Sequence, residues 1–428
     1  MDKFIVRGGT PLKGKIRVSG SKNSALPILA ATLLTPEPCI IHRVPDLSDV
    51  RYMLDILRHL GASVDYTDGT VRVCAAKVHS EAPYDLVRKM RASICVLGPL
   101  VARCGKATVS LPGGCVIGDR PIDIHLRGLQ GLGAEVETTE GNVIVNAERG
   151  LTGANIYLGG KFGSTVLGTD NVMMAATAAS GTTVIESAAC EPEVKDLADF
   201  LVKMGAKIEG HGGSRVTIHG VSGLHGAEHT VIPDRIEAGT FIIAGLITGG
   251  DLTLEQINND HLENVLGHLT AAGAFFERGV DTLRVTAGEG LKPLNLVTEV
   301  YPGFPTDMQA QFSALLTVVP GLSAITEKIF PARTMHLSEL KRMGANIDLE
   351  GSTSIIRGVS HLSAAPVMAS DLRASAALVI AGLAARGATE VNRVYHIDRG
   401  YEHIDQKLRN VGANIERIKE GKSEAEKD

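Results

Sequence analysis

Apolar and polar residues follow a pattern along this 428-residue chain that returns six times. In each period an amphipathic stretch with helical spacing ends at a Gly-Ala pair, and in most periods an alternating, strand-like stretch follows. Glycine directly after the last helical residue is typical of a helix C-terminus. The pairs begin at Gly61, Gly133, Gly205, Gly273, Gly344 and Gly412. Their successive spacings of 72, 72, 68, 71 and 68 residues predict one supersecondary unit copied six times.

Each period also contains a second helical stretch that is apolar on every side and nearly free of charge beyond its first turn. Such a helix is buried on every side, so we expect it to be enclosed by sheets. The predicted enclosed helices are 24–34, 91–102, 165–179, 238–247, 308–319 and 372–385. The predicted amphipathic helices are 50–60, 122–132, 194–204, 262–272, 335–343 and 401–411. Each copy is therefore predicted to run β-α-β-α-β-β, which gives an α/β fold with sheets outside and apolar helices inside.

Chain length limits how these copies share a core. A single enclosed core is uncommon above roughly 300 residues. The pattern therefore predicts two domains of three copies each, with a boundary near residues 226–232.

Composition narrows the function classes. The chain is 44% hydrophobic and 21% charged, as expected of a soluble globular protein. A net charge of -5 and the absence of Trp argue against a nucleic-acid surface. No apolar stretch reaches the ~20 residues that a membrane span needs. The N-terminus has no secretory pattern and the six cysteines are scattered without metal spacing, so we expect a cytoplasmic protein with reduced thiols and no metal or cofactor.

One thiol lies in a setting that favours reactivity. Cys115 sits in the Pro/Gly-rich segment Leu111–Pro121, five residues before Arg120 and just before a predicted helix. A guanidinium and a helix N-terminus both lower a thiol pKa and so make the thiolate available. The alternative is a structural turn that holds a small residue.

Charged residues lie at equivalent positions of the repeated unit, at or just before the N-terminal ends of its helices. The N-terminus of a helix carries unpaired N–H groups and so forms an anion site. Six cationic side chains at these helix starts therefore predict a pocket for a ligand that has a phosphate and a carboxylate. These cations are Lys22, Arg91, Arg120, Arg333, Arg373 and Arg399. Asp307 and Asp371 are equally plausible as helix N-caps. Lys22 and Arg399 are alternatively surface charges, and Arg333 alternatively the partner of a nearby carboxylate.

Several segments together resemble the enolpyruvyl transferases, specifically the family of UDP-N-acetylglucosamine 1-carboxyvinyltransferases. The resemblance extends from Met1 to about Lys419. The segments that carry it are Ser21–Pro27, Met90–Ser93, Leu111–Pro121, Pro233–Glu237, Phe304–Phe312, Ala369–Ser375 and Tyr395–Glu402. The resemblance implies an inside-out α/β barrel with domains 22–229 and 1–21 plus 230–428, and an active site in the cleft between them.

The resemblance also implies a reaction. The enolpyruvyl group of phosphoenolpyruvate would pass to the 3'-hydroxyl of UDP-N-acetylglucosamine with release of phosphate, by addition and then elimination. This is the first committed step of peptidoglycan synthesis, which supports cell-wall formation, cell shape and division. No metal or cofactor is implied, and the oligomeric state stays open. Two alternatives remain: a shikimate-3-phosphate enolpyruvyl transferase, and a catalytically silent copy that binds the nucleotide sugar.

Site roles follow from the matched segments. Cys115 would act on the acid side and be the target of fosfomycin, and Asp307 would be the base. Lys22, Arg120 and Arg399 would bind phosphoenolpyruvate, and Arg333 and Arg373 would add charge. The other substrate-binding positions implied are Asn23, Arg91, Pro121, Ile122, Asp123, Ile124, Lys161, Ser164, Ile329 and Asp371. The segment 162–171 holds about two residues more than the family pattern.

Overall fold

The computed structural model describes residues 2–111, 122–288 and 290–419. These residues form two compact units. One unit comprises residues 20–111 and 122–232, and the other comprises residues 2–19 and 233–419 without residue 289. The chain thus enters the first of these units after Ser19 and leaves it after Ile232.

Short strands make up the sheets. In chain order the described strands are β1 (Lys3–Arg7), β2 (Lys13–Arg17), β3 (Cys39–His42), β4 (Ser63–Thr67), β5 (Thr70–Cys74), β6 (Glu81–Ala82), β7 (Lys106–Ser110), β8 (Glu135–Thr139), β9 (Asn142–Asn146), β10 (Asn155–Tyr157), β11 (Gly159–Gly160), β12 (Gly163–Ser164), β13 (Thr182–Glu186), β14 (Lys207–Glu209), β15 (Arg215–His219), β16 (Glu228–Thr230), β17 (Asp251–Glu255), β18 (Ala274–Arg278), β19 (Thr282–Ala287), β20 (Asn295–Val297), β21 (Leu322–Thr326), β22 (Asn346–Glu350), β23 (Thr353–Arg357), β24 (Pro366–Met368), β25 (Ala388–Asn392) and β26 (Asn414–Ile418).

Helices alternate with these strands. The described α-helices are α1 (Lys22–Ala31), α2 (Ser48–His59), α3 (Tyr84–Val87), α4 (Leu97–Cys104), α5 (Asp123–Gly131), α6 (Val166–Ala176), α7 (Pro192–Lys203), α8 (Arg235–Ile247), α9 (Glu263–Ala271), α10 (Gln309–Leu316), α11 (Met335–Arg342), α12 (Leu372–Ala384) and α13 (Ile404–Asn410). Short 3-10 helices cover Thr32–Leu34, Arg91–Val96, Asn259–Leu262, Thr306–Met308 and Val394–Arg399. Within the described residues, no helix has both the length and the apolar character needed to cross a membrane.

Residues 20–111 and 122–232 form three four-stranded sheets and a small hairpin. The strand orders are β16-β3-β5-β4, β6-β7-β9-β8 and β10-β13-β15-β14, and β11 pairs with β12. In each four-stranded sheet the first two strands are parallel and the other neighbours are antiparallel. Apart from the β11–β12 hairpin inserted after β10, the order β10-α6-β13-α7-β14-β15 is the predicted β-α-β-α-β-β copy. The first copy takes its opening strand, β16, from the end of the unit.

Residues 2–19 and 233–419 repeat this plan. Their sheets have the orders β2-β17-β19-β18, β20-β21-β23-β22 and β24-β25-β1-β26. Here β2 is the opening strand of the first copy, while β1 completes the last sheet between β25 and β26. The chain therefore closes this unit by joining its N-terminal strands to both the first and the last copy.

Apolar helices fill the centre of each unit, as predicted. In the second unit α8, α10 and α12 contact one another. Every residue of α12 from Arg373 to Leu383 is buried, and so is every residue of α8 from Ile236 to Leu246. These helices are rich in Ala, Leu, Ile and Gly, so they pack closely on all faces.

Amphipathic helices end where the Gly-Ala pairs predict. All six glycines have a positive φ, between 88° and 102°, at Gly61, Gly133, Gly205, Gly273, Gly344 and Gly412. A residue with a side chain is strained in this conformation, which explains the recurrent glycine. The largest shift of a helix start is in the helix predicted at 91–102: residues 91–96 form a 3-10 helix and α4 begins only at Leu97, which places Pro99 in its first turn, where proline is tolerated.

Candidate active site

Asp307 lies at the start of the enclosed helix α10, in the 3-10 helix Thr306–Met308. Its Oδ1 accepts a hydrogen bond from Arg333 Nη1 at 2.9 Å, and its Oδ2 accepts one from Arg373 Nε at 3.2 Å. The Asp307 side chain is 28% exposed, whereas those of Arg333 and Arg373 are 5% and 1% exposed. Two buried guanidinium groups therefore hold a carboxylate that stays accessible.

Arg333 also contacts a second carboxylate. Its Nη2 lies 3.7 Å from Asp371 Oδ1, and its Nη1 donates to the carbonyl oxygen of Thr306 at 3.0 Å and to Thr306 Oγ1 at 3.2 Å. Burial alone would lower the pKa of Arg333, but the charges of Asp307 and Asp371 raise it above its ordinary value. The guanidinium is therefore a permanent cation, and it pairs with the nearby carboxylates of Asp307 and Asp371.

Arg373 packs against the ring of Tyr401. Its guanidinium carbon lies 5.2 Å from the centre of the Tyr401 ring, within cation–π distance. Burial alone would lower the pKa of Arg373, but Tyr401 and Asp307 raise it. The Tyr401 hydroxyl lies 2.9 Å from Thr240 Oγ1, and Gln311 Nε2 donates to both of these oxygens at 3.2 Å.

Sequence reasoning did not identify this buried polar support. Gln311 and Thr240 lie in the enclosed helices α10 and α8, and both are buried. A polar residue in an enclosed helix needs a hydrogen-bond partner, which is the signal that points to them. His336 gives a similar signal, since it is buried with Nε2 3.4 Å from Ser313 Oγ. Burial lowers the pKa of His336 to about 4, so its imidazole is neutral at pH 7.

The two aspartates differ as helix caps. Asp371 is the N-cap of α12 and accepts from the N–H groups of Arg373 and Ala374 at 2.8 and 3.1 Å. The expectation that this helix start offers free N–H groups to an anion is therefore wrong for these two groups, because Asp371 occupies them. Asp307 is not the N-cap of α10, since Met308 holds that position and Asp307 pairs with arginines instead.

Lys22 and Asn23 begin α1 in the unit formed by residues 20–111 and 122–232. Lys22 is buried, with Nζ 3.3 Å from Asp49 Oδ2, and Asp49 lies in the first turn of α2. The Lys22 side chain is therefore oriented by a buried carboxylate rather than solvated at the surface. Arg91, half-buried, begins the 3-10 helix Arg91–Val96.

The predicted nucleotide-binding positions of this unit lie on neighbouring elements. Ile122 precedes α5 and Asp123 and Ile124 begin it, while Lys161 and Ser164 lie in the β11–β12 hairpin and its turn. A Cβ atom on Gly160 would lie 2.6 Å from Ile124 Cδ1, so the hairpin packs directly on α5. Arg127 of α5 joins them further, donating from Nη2 to the Gly159 carbonyl oxygen at 3.0 Å.

The remaining predicted positions fall elsewhere. Cys115, Arg120 and Pro121 lie outside the described residues. Arg399 ends the 3-10 helix Val394–Arg399 and is half-buried, and Ile329 lies in the loop before Arg333. The six predicted cations are thus distributed as Lys22 and Arg91 in one unit and Arg333, Arg373 and Arg399 in the other, with Arg120 not described.

Comparison with known proteins identifies the family. The sequence profile described as EPSP synthase (3-phosphoshikimate 1-carboxyvinyltransferase) matches residues 6–408. The chain belongs to the enolpyruvyl transferase family. A UDP-N-acetylglucosamine 1-carboxyvinyltransferase from Methylacidiphilum infernorum is 63% identical over 98% of this chain and 99% of its own length. A relative of the same name from Akkermansia muciniphila is 57% identical over 98% of this chain and 99% of its own length.

Solved enolpyruvyl transferases share the fold. The enolpyruvyl transferase NikO from Streptomyces tendae has a TM-score of 0.89 and 26% identity, covering 97% of this chain and 99% of its own. EPSP synthase from Acinetobacter baumannii has a TM-score of 0.75 and 18% identity, covering 98% and 100%. The similarity to EPSP synthase concerns the fold alone. By contrast, four relatives that are 52–63% identical to this chain all carry the name UDP-N-acetylglucosamine 1-carboxyvinyltransferase.

Proposed function

We propose that this enolpyruvyl transferase moves the enolpyruvyl group of phosphoenolpyruvate to the 3'-hydroxyl of UDP-N-acetylglucosamine and releases phosphate. Relatives whose name states a carboxyvinyl transfer to UDP-N-acetylglucosamine match 98% of the chain at 52–63% identity. The structural observation that carries the proposal is the Asp307 carboxylate, accessible on one side and held by Arg333 and Arg373 on the other. A fixed, accessible carboxylate is what removal of a sugar hydroxyl proton requires.

The reaction has two balanced stages. In the addition, the 3'-hydroxyl gives its proton to Asp307 and its oxygen bonds to C2 of phosphoenolpyruvate, while the methylene carbon takes a proton from the acid side. In the elimination, the new methyl group loses a proton and the C2–O bond to phosphate breaks, which restores the double bond. The family resemblance assigns Cys115 to the acid side.

Asp307 acts through position more than through strength as a base. The guanidinium groups of Arg333 and Arg373 stabilise its negative charge and direct both of its oxygens. A carboxylate held in this way needs no reorganisation when the hydroxyl arrives, and such positioning contributes several kcal/mol to catalysis.

Cations bind the acidic substrate. Lys22, Arg120 and Arg399 bind the phosphate and carboxylate of phosphoenolpyruvate, with Arg333 and Arg373 supplying further positive charge. Lys22 is suited to this because the buried carboxylate of Asp49 orients its ammonium group, and an ammonium group carries three N–H donors. Fixed cations stabilise charge that develops on the departing phosphate.

The nucleotide sugar contacts the elements that carry Asn23, Arg91, Asp371 and Ile329, and above all α5 with its neighbouring hairpin. Packing of Gly160 on Ile124 supports a shared surface for Ile122, Asp123, Ile124, Lys161 and Ser164. The extra residues of segment 162–171 lie in and after this hairpin, so nucleotide contacts there differ from the family pattern. The two domains that share these roles are 22–229 and 1–21 plus 230–428.

In the cell this activity would supply the first committed precursor of peptidoglycan, and we propose that it takes place in the cytoplasm. Wall formation, cell shape and division depend on that supply.

Phosphate release tests the proposal. We expect the wild-type chain to release phosphate from phosphoenolpyruvate only when UDP-N-acetylglucosamine is present, and Cys115→Ser to release it more slowly. Release that depends on shikimate 3-phosphate instead would favour the other transferase. Tight binding of UDP-N-acetylglucosamine with no release under any condition would favour the silent copy.

A further inference from the structure

Glu327 is a buried carboxylate to which the reaction outlined above gives no role. It follows β21, its residue is 0% exposed, and its own N–H donates to the Ser352 carbonyl oxygen at 2.9 Å. A buried carboxylate is destabilising unless hydrogen bonds compensate for the lost water. The hydrogen-bond donors around Glu327 therefore indicate its role.

Four donors from two parts of the chain converge on Glu327. Oε1 accepts from Thr298 Oγ1 at 2.8 Å and from the N–H groups of Ile329 and Phe330 at 2.9 and 2.8 Å. Oε2 accepts from Thr306 Oγ1 at 2.9 Å. In the described part of the chain no cation forms an ion pair with Glu327, so its charge is compensated by neutral donors alone.

Thr306 connects this carboxylate to the candidate base. The Thr306 hydroxyl has one hydrogen, which it donates to Glu327, so its lone pairs face Arg333 Nη1 at 3.2 Å. The same Nη1 donates to Asp307 Oδ1 at 2.9 Å. Glu327 thus sets the direction of the hydroxyl, the hydroxyl receives the guanidinium, and the guanidinium holds Asp307.

Glu327 also fixes the loop that carries Arg333, through two backbone N–H groups. Ile329 and Phe330 donate to the same oxygen, and the Phe330 carbonyl oxygen accepts from the Arg333 N–H at 2.8 Å. The Glu327 side chain therefore holds the backbone at Ile329 and Phe330, and a turn from Phe330 to Arg333 follows directly. One carboxylate holds both the segment before Asp307 and the loop that presents Arg333 and Ile329.

We propose that Glu327 is a positioning residue, which aligns Asp307 with the sugar hydroxyl by fixing Thr306 and the 327–333 loop. This role rests on the proposed function of Asp307. Its charge matters as well as its shape. A glutamine would place an NH2 donor opposite the Thr306 hydroxyl, which would have to turn its hydrogen toward Arg333 and lose the guanidinium contact.

Two threonines supply a matched test. Thr298 and Thr306 both donate a hydroxyl to Glu327, but only Thr306 also contacts Arg333. We expect Glu327→Gln and Thr306→Val to lower kcat for phosphate release by about 10-fold to 100-fold, since small misplacements of reacting groups have effects of that size. Thr306→Ser, which keeps the hydroxyl, should restore kcat. Thr298→Val removes one donor to Glu327 and the acceptor of the Lys328 N–H but leaves the Thr306–Arg333 contact in place, so it should lower kcat much less than Thr306→Val does. The KM for phosphoenolpyruvate should stay constant throughout, and thermal unfolding should be followed for every variant.

The outcomes separate the two hypotheses. A parallel loss of kcat and Tm in Thr298→Val and Thr306→Val would overturn the positioning role in favour of a purely structural one. If the wild-type chain is active and Thr306→Val turns over equally fast, the positioning role is overturned while the proposed function stands. This comparison holds even if Glu327→Gln fails to fold. A wild-type chain that releases no phosphate with UDP-N-acetylglucosamine would overturn the proposed function itself, and this role with it.

Discussion

Arg373 Nε donates to Asp307 Oδ2 over 3.2 Å, from a side chain that is only 1% exposed to one that is 28% exposed. The donor packs against the buried ring of Tyr401, whereas the acceptor is partly exposed. This arrangement carries the rigidity of the core to a carboxylate at the surface of its unit. It separates the group that must be held still from the group that must meet a substrate.

Removal of the Asp307 carboxylate should nearly abolish turnover. We expect Asp307→Ala to lower kcat by about 10²-fold to 10⁴-fold, the range contributed by a positioned general base. Asp307→Asn should be similarly impaired, although it keeps an oxygen that can accept from Arg333. The measurement is phosphate release with saturating substrates, with circular dichroism to verify folding.

Asp348→Ala is the matched control for these variants, since Asp348 is an exposed carboxylate paired with Arg357 on neighbouring strands of the same unit. It should leave kcat unchanged. Turnover of Asp307→Ala within a few-fold of wild type would remove Asp307 from the role of base.

His336 should make stability depend on pH below about 6.5. Burial lowers its pKa from 6.5 to about 4, with a further lowering from Arg333 opposed by Asp371. Between these values the unfolded chain takes up a proton that the folded chain does not, so the free energy of unfolding decreases as the pH falls from about 6.5 toward 4. We expect His336→Gln to reduce that slope by at most one proton, or about 1.4 kcal/mol per pH unit.

Urea unfolding at several pH values between 4 and 7 measures this slope, with the exposed His361→Gln as the control. The slope is informative even where the His336 variant is less stable overall. An unchanged slope would show that His336 is protonated equally in both states.

Thiol chemistry should select Cys115. Burial is the main cause that raises the pKa of Cys39, Cys95, Cys104 and Cys190, so these thiols stay protonated and unreactive. We expect one fosfomycin adduct per chain by intact mass, mapped to Cys115, and none in Cys115→Ser. An adduct that persists in the serine variant would contradict the assignment.

Two glycines inside amphipathic helices should respond in opposite directions to alanine. A Cβ atom on Gly128 of α5 would lie 2.3 Å from Val172 Cγ2 of α6, whereas one on Gly267 of α9 would meet nothing within 4 Å. We expect Gly128→Ala to destabilise the protein by about 1–3 kcal/mol through overpacking. Gly267→Ala should stabilise it by about 0.5–1 kcal/mol, because alanine loses less backbone entropy in a helix.

Urea unfolding of the two variants in parallel measures the difference. Equal effects of the two substitutions would contradict the close packing of α5 against α6.

Local pattern predicted much of the fold. The six Gly-Ala pairs identified the ends of the amphipathic helices because the positive φ there is a property of the chain at that point. The apolar composition of segments such as 238–247 and 372–385 identified the enclosed helices, since a helix without a polar face can only be buried. Pattern did not reveal that residues 91–96 form a 3-10 helix, because the register of a short buried helix depends on its packing.

For the candidate site, the sequence by itself determined which residue types stand at the starts of the enclosed helices, and the family resemblance assigned their roles. Only the tertiary structure decided their partners. Asp307 meets Arg333 and Arg373 from 26 and 66 residues away, and Glu327 meets Thr306 from 21 residues away. Hydrogen bonds of this kind depend on how separate elements pack, which no local periodicity records. The same packing assigned Asp371 to a helix cap and left Asp307 accessible, although both aspartates stand in similar places along the chain.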